Sequence, residues 1–145
     1  FHWALWRLGS SLMTAGRPLE AISVLARAQE SQADNPTLIG RLGRAYAAAG
    51  RRQEALQALA RLEKLAAVRY VTPHARGEIC LGLGDADCYM HTLQEGYQQR
   101  TNAMVYLRFE AVDPRHPELW TDSRLQDLLR RMNYPAGIGC SQARR

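Results

Sequence analysis

Two cysteines and a histidine in the middle of the chain are the residues best suited to chemistry. Cys88 and His91 are three residues apart, and Cys80 lies one predicted helix earlier. A structural zinc site usually brings paired ligands at short spacing, such as two C-x-x-C motifs, and the chain has only one short pair. A Cys–His nucleophile would need a third, orienting group and a pocket. We therefore interpret Cys80 as a small buried hydrophobic residue and expect no metal site and no cofactor.

The acidic residues nearest to these cysteines are also explained without catalysis. Asp85 and Asp87 follow Gly84 in a predicted turn, where carboxylates favour the start of the next helix. The four histidines, His2, His74, His91 and His116, do not cluster in the sequence. The sequence therefore predicts no enzyme and no catalytic residues.

Length and composition fit one folded domain. The chain has 145 residues, of which 46% are hydrophobic and 23% charged, which is enough to bury a core. Lys64 is the only lysine, so arginine supplies the other 18 of the 19 cations behind the net charge of +5. These arginines are spread along the chain rather than gathered into a basic stripe, so we expect no nucleic-acid partner.

Neither a membrane segment nor a signal peptide is predicted. No apolar run approaches the ~20 residues that cross a bilayer. The opening FHWALWRLG lacks an initiator Met and the pattern of a signal peptide, so we expect it to be the cut edge of a larger protein. Three cysteines, an odd and sparse set, argue against a disulfide framework and for a reducing compartment, which predicts a cytoplasmic protein.

Glycines and large apolar residues recur along the chain with a spacing of 34 residues. The matching sets are Gly9, Gly43 and Gly77; Gly16, Gly50 and Gly84; Leu12, Tyr46 and Cys80; and Leu25, Leu59 and Leu93. A 34-residue period with a helix–turn–helix pattern resembles that of the tetratricopeptide repeat. The resemblance implies an all-α solenoid of three repeats with a C-terminal capping helical segment.

The repeat frame divides the chain into five segments. Residues 1–34 and 35–68 are two tetratricopeptide-like repeats, and residues 69–100 are a third, degenerate one. Residues 101–135 are predicted to form capping helices, and residues 136–145 a loose tail without periodicity.

The two recurring glycines of each repeat have different predicted roles. Gly43 lacks a side chain where the second helix of the repeat approaches, and we expect that approach at Ala55. Gly50 follows the end of the first helix, where a left-handed backbone conformation is nearly free for glycine.

The third repeat is expected to be less regular. Thr72 is predicted to cap its first helix, with Pro73 at the first helical position. Gly96 replaces a core residue, and we expect Tyr89 and Tyr97 to fill the space that it leaves.

Beyond the repeats, the sequence predicts three helical segments. One spans Thr101–Phe109, the next begins at Asp113-Pro114, and the last is capped by Asp122. In this last segment the apolar residues fall at i, i+3, i+4 and i+7, namely Leu125, Leu128, Leu129 and Met132. We expect this face to cover the open end of the repeat array.

Asp113–Met132 carries a second resemblance. Its sequence, DPRHPELWTDSRLQDLLRRM, is similar to the closing segment of tetratricopeptide regions at the C-terminal end of bacterial multidomain regulators. The common pattern there is Asp-Pro-Arg-Phe, Leu, Ser-Asp-Pro-Arg-Phe and a Leu-Leu-Arg-Arg run, from which His116, Trp120, Ser123 and Leu125 differ. The N-terminal parts of such regulators are winged-helix, nucleotide-cyclase or Ser/Thr-kinase domains, so the resemblance implies a signalling or transcriptional regulator.

The same family resemblance implies a partner-binding groove on the concave side, lined by the first helix of each repeat. The groove residues that it implies are Trp6, Ser10, Met13, Arg41, Arg44, His74 and Glu78. Arg41 and Arg44 beside Trp6 and Met13 suit an acidic peptide with an apolar anchor. The alternative is that the arginines form a solvated face and that Trp6 is buried by a further repeat.

The sequence therefore predicts a protein-interaction module that binds a protein or peptide in its groove. The alternative is a structural module that forms homodimers through its aromatic N-terminal helix, which carries Phe1, Trp3, Leu5 and Trp6. Four large apolar groups on about two turns are more than one hairpin buries, and exposed patches of this kind usually mark an interaction site.

Overall fold

The computed structural model describes residues 2–107 and 115–134, and all regular structure in these two ranges is helical. The predicted all-α fold is thus confirmed. The elements in chain order are α1 (His2–Thr14), α2 (Pro18–Glu30), α3 (Pro36–Ala48), α4 (Arg52–Ala66), α5 (Pro73–Leu83), α6 (Ala86–Gln98), a 3-10 helix (Asn102–Tyr106), α7 (Pro117–Trp120) and α8 (Ser123–Arg131).

The first six helices form three successive pairs, and apolar stripes at helical spacing hold each pair to the next. One apolar cluster joins α1 and α2 to α3, with Leu25 and Leu42 among its buried members. A second cluster joins α3 and α4 to α5, with Leu62 and Ile79 fully buried. Because each cluster takes side chains from two neighbouring pairs, the pairs stack rather than fold separately.

The turn between the two helices of each pair depends on glycine. Gly16, Gly50 and Gly84 have φ angles of +72°, +77° and +71°, the left-handed region in which other L-residues are strained. The predicted role of these three glycines is confirmed.

The helix-packing glycines bring the first helices of neighbouring pairs close together. A Cβ on Gly43 would lie 2.7 Å from the Ile79 side chain of the next pair and 3.0 Å from the Ala58 Cβ. The sequence predicted that α4 approaches Gly43 at Ala55, and this prediction was wrong, because the nearest α4 side chain is Ala58. Ala58 lies three residues, almost one turn, beyond Ala55 along α4. Gly40 also sits at such a contact, since its Cβ would lie 2.4 Å from the backbone oxygen of Ala75.

Among the described helices, α3, α6 and α8 begin with a side-chain cap. The carboxamide or carboxylate oxygens of Asn35, Asp85 and Asp122 accept hydrogen bonds from backbone N–H groups in the first turns of α3, α6 and α8. Thr72 occupies the N-cap position of α5, but its side chain makes no capping bond, which corrects the prediction. Pro73 does start α5, because its missing N–H would be unpaired there in any case.

A third apolar cluster covers the last pair. Leu125, Leu128 and Leu129 of α8 pack with Leu119 of α7 against α6, so the tail lies where the sequence predicted a cap. The Thr101–Phe109 segment is a 3-10 helix over Asn102–Tyr106 instead of the expected regular helix, and residues 108–109, like Asp113-Pro114, lie outside the described ranges.

The space at Gly96 is filled differently from the prediction. The nearest atoms to a Cβ at that position would be the Met104 sulfur, at 3.1 Å, and the Thr101 hydroxyl, at 3.2 Å. Met104 belongs to the 3-10 helix, which approaches α6 closely because Gly96 has no side chain. Tyr89 and Tyr97 therefore do not fill this gap.

Candidate interaction surface

Six of the seven residues predicted to line the groove form two contact groups, which we call the groove strip. The first group, Trp6, Ser10 and Arg41, joins α1 to α3, and the second, Arg44, His74 and Glu78, joins α3 to α5. Arg41 and Arg44 are neighbours on one face of α3, being three residues apart. The groove strip therefore crosses the first helices of all three pairs.

At one end of the groove strip, the Arg41 guanidinium lies over the indole of Trp6, with its central carbon 4.8 Å from the ring centroid. A cation over an aromatic face is attracted by the ring quadrupole. Arg41 Nη1 also donates to the Ser10 hydroxyl oxygen at 3.1 Å, and that hydroxyl donates to the Trp6 backbone oxygen at 3.0 Å. The side chains of Trp6 and Arg41 are half-buried, and these contacts hold them in a defined geometry.

At the other end, an arginine and a histidine contact a buried carboxylate. Arg44 Nη1 donates to Glu78 Oε2 at 3.2 Å, and His74 Nε2 lies 3.5 Å from Glu78 Oε1. Only 4% of Glu78 is exposed. Burial alone would raise the pKa of the Glu78 carboxyl, but the charges of Arg44, Arg41 and His74 outweigh it and lower the pKa to about 2. Glu78 is thus a buried anion that ties α5 to α3.

Met13 is the predicted groove residue outside the strip. It is half-buried and packs on the first apolar cluster. Repeat spacing alone also places Gly40 between Trp6 and His74 on the groove side, whereas the structure buries Gly40 between α3 and α5.

The Arg44–Glu78 pair is a feature that sequence reasoning missed. Both residues were assigned to the groove, but as separate binding groups. Their separation of 34 residues places opposite charges at the same position of successive repeats, and this was the signal that could have indicated an ion pair.

The cysteine prediction needs a correction. Cys80 and Cys88 are joined by a disulfide between α5 and α6, with their Cα atoms 5.7 Å apart. Cys80 is fully buried, as expected, but it is not a free thiol. Cys80 lies near the end of α5 and Cys88 near the start of α6, so the two residues face each other across the Gly84 turn. The pairing removes the cysteine-based argument for a reducing compartment.

The described residues were also compared with the requirements of a metal site, a ligand cavity and a membrane span. Within residues 2–107 and 115–134, no group of three or more His, Cys, Asp or Glu side chains could hold a metal ion. A cavity of about 20 Å³ lies beside Glu78 between α5, α6 and the 3-10 helix, room for a water molecule rather than an organic ligand. None of the helices in the described ranges is long and apolar enough to cross a membrane.

Stacked helix pairs with a contact strip across their first helices define a helical-repeat protein. A family model of the tetratricopeptide repeat matches residues 12–71, from the middle of α1 to the start of the third pair. Residues 12–71 are thus similar in sequence to the tetratricopeptide repeat. No curated protein and no solved structure matches the chain. Tetratricopeptide repeats generally form protein-interaction modules and are typically non-catalytic.

Proposed function

We propose that this chain binds a protein or peptide partner along the groove strip, at the end formed by Trp6 and Arg41. The observation that carries the proposal is the stacked Trp6–Arg41 pair. An indole offers an apolar surface with little conformational entropy to lose, and tryptophan and arginine are the residues most enriched at binding hot spots. The neighbouring guanidinium can hold a carboxylate with two parallel hydrogen bonds.

The indole N–H of Trp6 adds a polar feature to this end. It is buried and has no hydrogen-bond acceptor among the described residues. A buried donor without an acceptor is costly. A partner oxygen that reaches this N–H when Arg41 shifts to bind the partner's carboxylate would satisfy it.

The proposed partner is an acidic segment with an apolar anchor residue. Arg41 would bind the carboxylate, and the exposed parts of Trp6 and Met13 would contact the anchor. Arg44 has a different role, because its bond to buried Glu78 makes it part of the framework. We further propose that the module belongs to a bacterial signalling or transcriptional regulator, from the likeness of Asp113–Met132 to the closing segments of such proteins.

A random peptide library displayed to the folded chain tests the binding proposal. We expect the selected peptides to place Asp or Glu next to an aromatic or aliphatic residue. Arg41→Glu should weaken their binding by about tenfold or more, because one charge-assisted bond is worth about 1.5–3 kcal/mol. Arg44 is not a clean probe, since its replacement leaves Glu78 buried without its principal cation.

The matched control is Arg27→Glu, the same charge change at an exposed position of α2. It should leave peptide binding within about twofold, since it removes no groove contact. If Arg27→Glu weakens binding as much as Arg41→Glu does, the selected peptides respond to net charge or use the outer surface, and the groove assignment is wrong.

A further inference from the structure

A crevice with a volume of about 290 Å³ opens between α2 and α4, the second helices of the first two pairs. Ile39, Leu42 and Tyr46 of α3 form its floor. These three residues follow helical spacing on the face of α3 opposite to Arg41 and Arg44. The space, which we call the α2–α4 crevice, is therefore separate from the groove strip.

The α2–α4 crevice has an apolar base and a polar entrance. Ile39 and Leu42 are buried at its base, and Tyr46 is half-buried. Gln29 of α2 lies on one side, and exposed Gln57 of α4 lies on the other. An apolar cavity with a few polar groups is the usual form of a binding site, and the volume is close to the ~300 Å³ at which such sites begin.

The equivalent place between the second and third pairs is bridged by an ion pair. Leu42 and Arg61 line the α2–α4 crevice, and Arg76 and Glu95 occupy the same positions one repeat later. Arg76 Nη2 donates to a carboxylate oxygen of Glu95. Leu42 cannot make such a bond with Arg61, which pairs with Asp34 instead.

A disulfide also crosses this second place. Tyr46 and Glu54 line the α2–α4 crevice, and the residues 34 positions later are Cys80 and Cys88, which are joined to each other. Both places lie between complete helix pairs in the interior of the array. The chain thus bridges one of them with its own side chains and leaves the other open.

The charges at the rim of the α2–α4 crevice are already paired. At one end, Glu54 Oε1 lies 2.7 Å from Arg51 Nη2. At the other end, two turns along α4, Arg61 Nη2 lies 3.0 Å from Asp34 Oδ1 and donates to the Ala33 backbone oxygen at 2.8 Å. A charged occupant would leave water and find each rim charge already compensated, which is costly. The crevice therefore favours an uncharged occupant.

The ring of Tyr46 favours an aromatic occupant. The guanidinium of Arg51 lies over this ring, with its central carbon 4.8 Å from the ring centroid, and so helps to fix the ring in place. Edge-to-face or offset packing of two aromatic rings is worth more than the apolar area that it buries. The Gln57 carboxamide at the entrance can bond to the peptide groups on either side of an inserted ring.

We propose that the α2–α4 crevice is a second recognition site, which binds an uncharged aromatic side chain of a protein partner. Aromatic residues that anchor a partner in a pocket are typical of binding hot spots. The site does not depend on the groove strip, since it uses the other face of α3 and other side chains.

Titration of the full chain with N-acetyltryptophanamide, followed by NMR, tests the proposal. This probe is an uncharged aromatic residue with a peptide group on each side. We expect saturable shifts of the Leu42 methyl and Gln57 carboxamide signals with a Kd of ~1 mM, as suits a single side chain. N-acetylleucinamide, which has the same peptide groups, should bind about threefold more weakly or worse, because it lacks the ring contact.

Two variants close the crevice. Leu42→Arg with Arg61→Glu gives it the residues found at the same positions between the second and third pairs. Because Leu42 is buried, Gln57→Trp provides a second variant, which fills the crevice from an exposed position. Each should weaken binding of the tryptophan probe about tenfold or more, since filled space admits no second ring, with circular dichroism confirming that the variants are folded.

The matched control for Gln57→Trp is Gln53→Trp, at an exposed position of α4 that does not line the crevice. It should bind the probe like the wild type, and so should Arg41→Glu, which changes only the groove strip. No saturable shift up to ~20 mM probe, a range that covers weak binding, overturns the proposal. Shifts that survive in Gln57→Trp, or equal affinity for the leucine probe, overturn it as well.

Discussion

The guanidinium of Arg44 on α3 reaches the carboxylate of Glu78 on α5, with Nη1 3.2 Å from Oε2, and the two residues lie 34 positions apart, one repeat. A pair at equivalent positions of successive repeats fixes how neighbouring helix pairs stack. The Glu78 side chain is only 3% exposed and that of Arg44 17%, so water cannot replace either partner without local opening. The ion pair is thus part of the scaffold that positions Arg41 and Trp6.

Removing the cation of this pair should destabilise the fold. Arg44→Ala leaves Glu78 buried with Arg41 and His74 only, and we expect a loss of about 2–4 kcal/mol in the free energy of unfolding. Urea unfolding at neutral pH measures this loss. Arg27→Ala, on an exposed position, should change stability by less than about 0.5 kcal/mol. Equal effects of the two substitutions would contradict the scaffold role of Arg44.

The same carboxylate predicts a dependence of stability on pH. The pKa of Glu78 is lowered from 4.5 to about 2 in the folded state, so the unfolded state takes up its proton at higher pH. The stabilisation is complete above the unfolded pKa and is lost as the pH falls through about 2. Between these two values the wild type should lose more stability than Glu78→Gln, as measured by urea unfolding over an acid series. Parallel curves would mean that Glu78 does not titrate as described.

Replacement by alanine should destabilise the protein less at a turn glycine, Gly50, than at a helix-packing glycine, Gly40. At Gly50 no atom lies within 4 Å of an added Cβ, so Gly50→Ala costs only the strain of φ +77°, about 1–2 kcal/mol. At Gly40 the Cβ would meet the Ala75 backbone at 2.4 Å. Because backbone cannot rotate away, Gly40→Ala must push α3 and α5 apart and should cost more, about 3 kcal/mol. Thermal unfolding of the two variants compares them, and the reverse order would refute the close approach at Gly40.

Deletion of residues 113–145 tests the cap. Without α7 and α8, the apolar surface of α6 that Leu119 and Leu125 cover is exposed to water, so the truncated chain should melt earlier and aggregate. Deletion of residues 135–145 alone retains both helices and is the comparison. If the longer deletion leaves melting temperature and monodispersity unchanged, α8 is not a cap.

The disulfide between Cys80 and Cys88 should be detectable by mass spectrometry and by the effect of a reductant on stability. Mass spectrometry of a non-reduced digest should find the two cysteine peptides linked. Reduction should lower the free energy of unfolding by about 2 kcal/mol, the value for so short a loop. A Cys88→Ser variant should be as stable as the reduced wild type and insensitive to reductant. Two free thiols in the native protein would restore the original interpretation of Cys80.

The features that the sequence determined by itself are those that depend on interactions between residues near each other in the chain. A 34-residue period, two glycines per repeat and apolar residues at helical spacing follow from helix geometry and from the backbone freedom of glycine. These features depend only on near neighbours in the chain, and so the all-α repeat fold and the turns at Gly16, Gly50 and Gly84 were predicted correctly. The capping role of α8 was expected for the same reason, because its apolar stripe is visible in the sequence.

The tertiary structure decided which side chains meet between repeats. Spacing placed Arg44 and Glu78 on the groove side, but only the close packing of α3 on α5 makes Glu78 a buried anion rather than an exposed one. The depth of a carboxylate depends on the distance between helices, and that distance depends on Gly40 and Ala75 together. Three other contacts could be identified only from the tertiary structure, for the same reason. They are the contact of Gly43 with Ile79, the packing of Met104 at Gly96 and the disulfide between Cys80 and Cys88. Each contact joins residues from two elements. The periodicity of residues within one element does not determine where the other element lies.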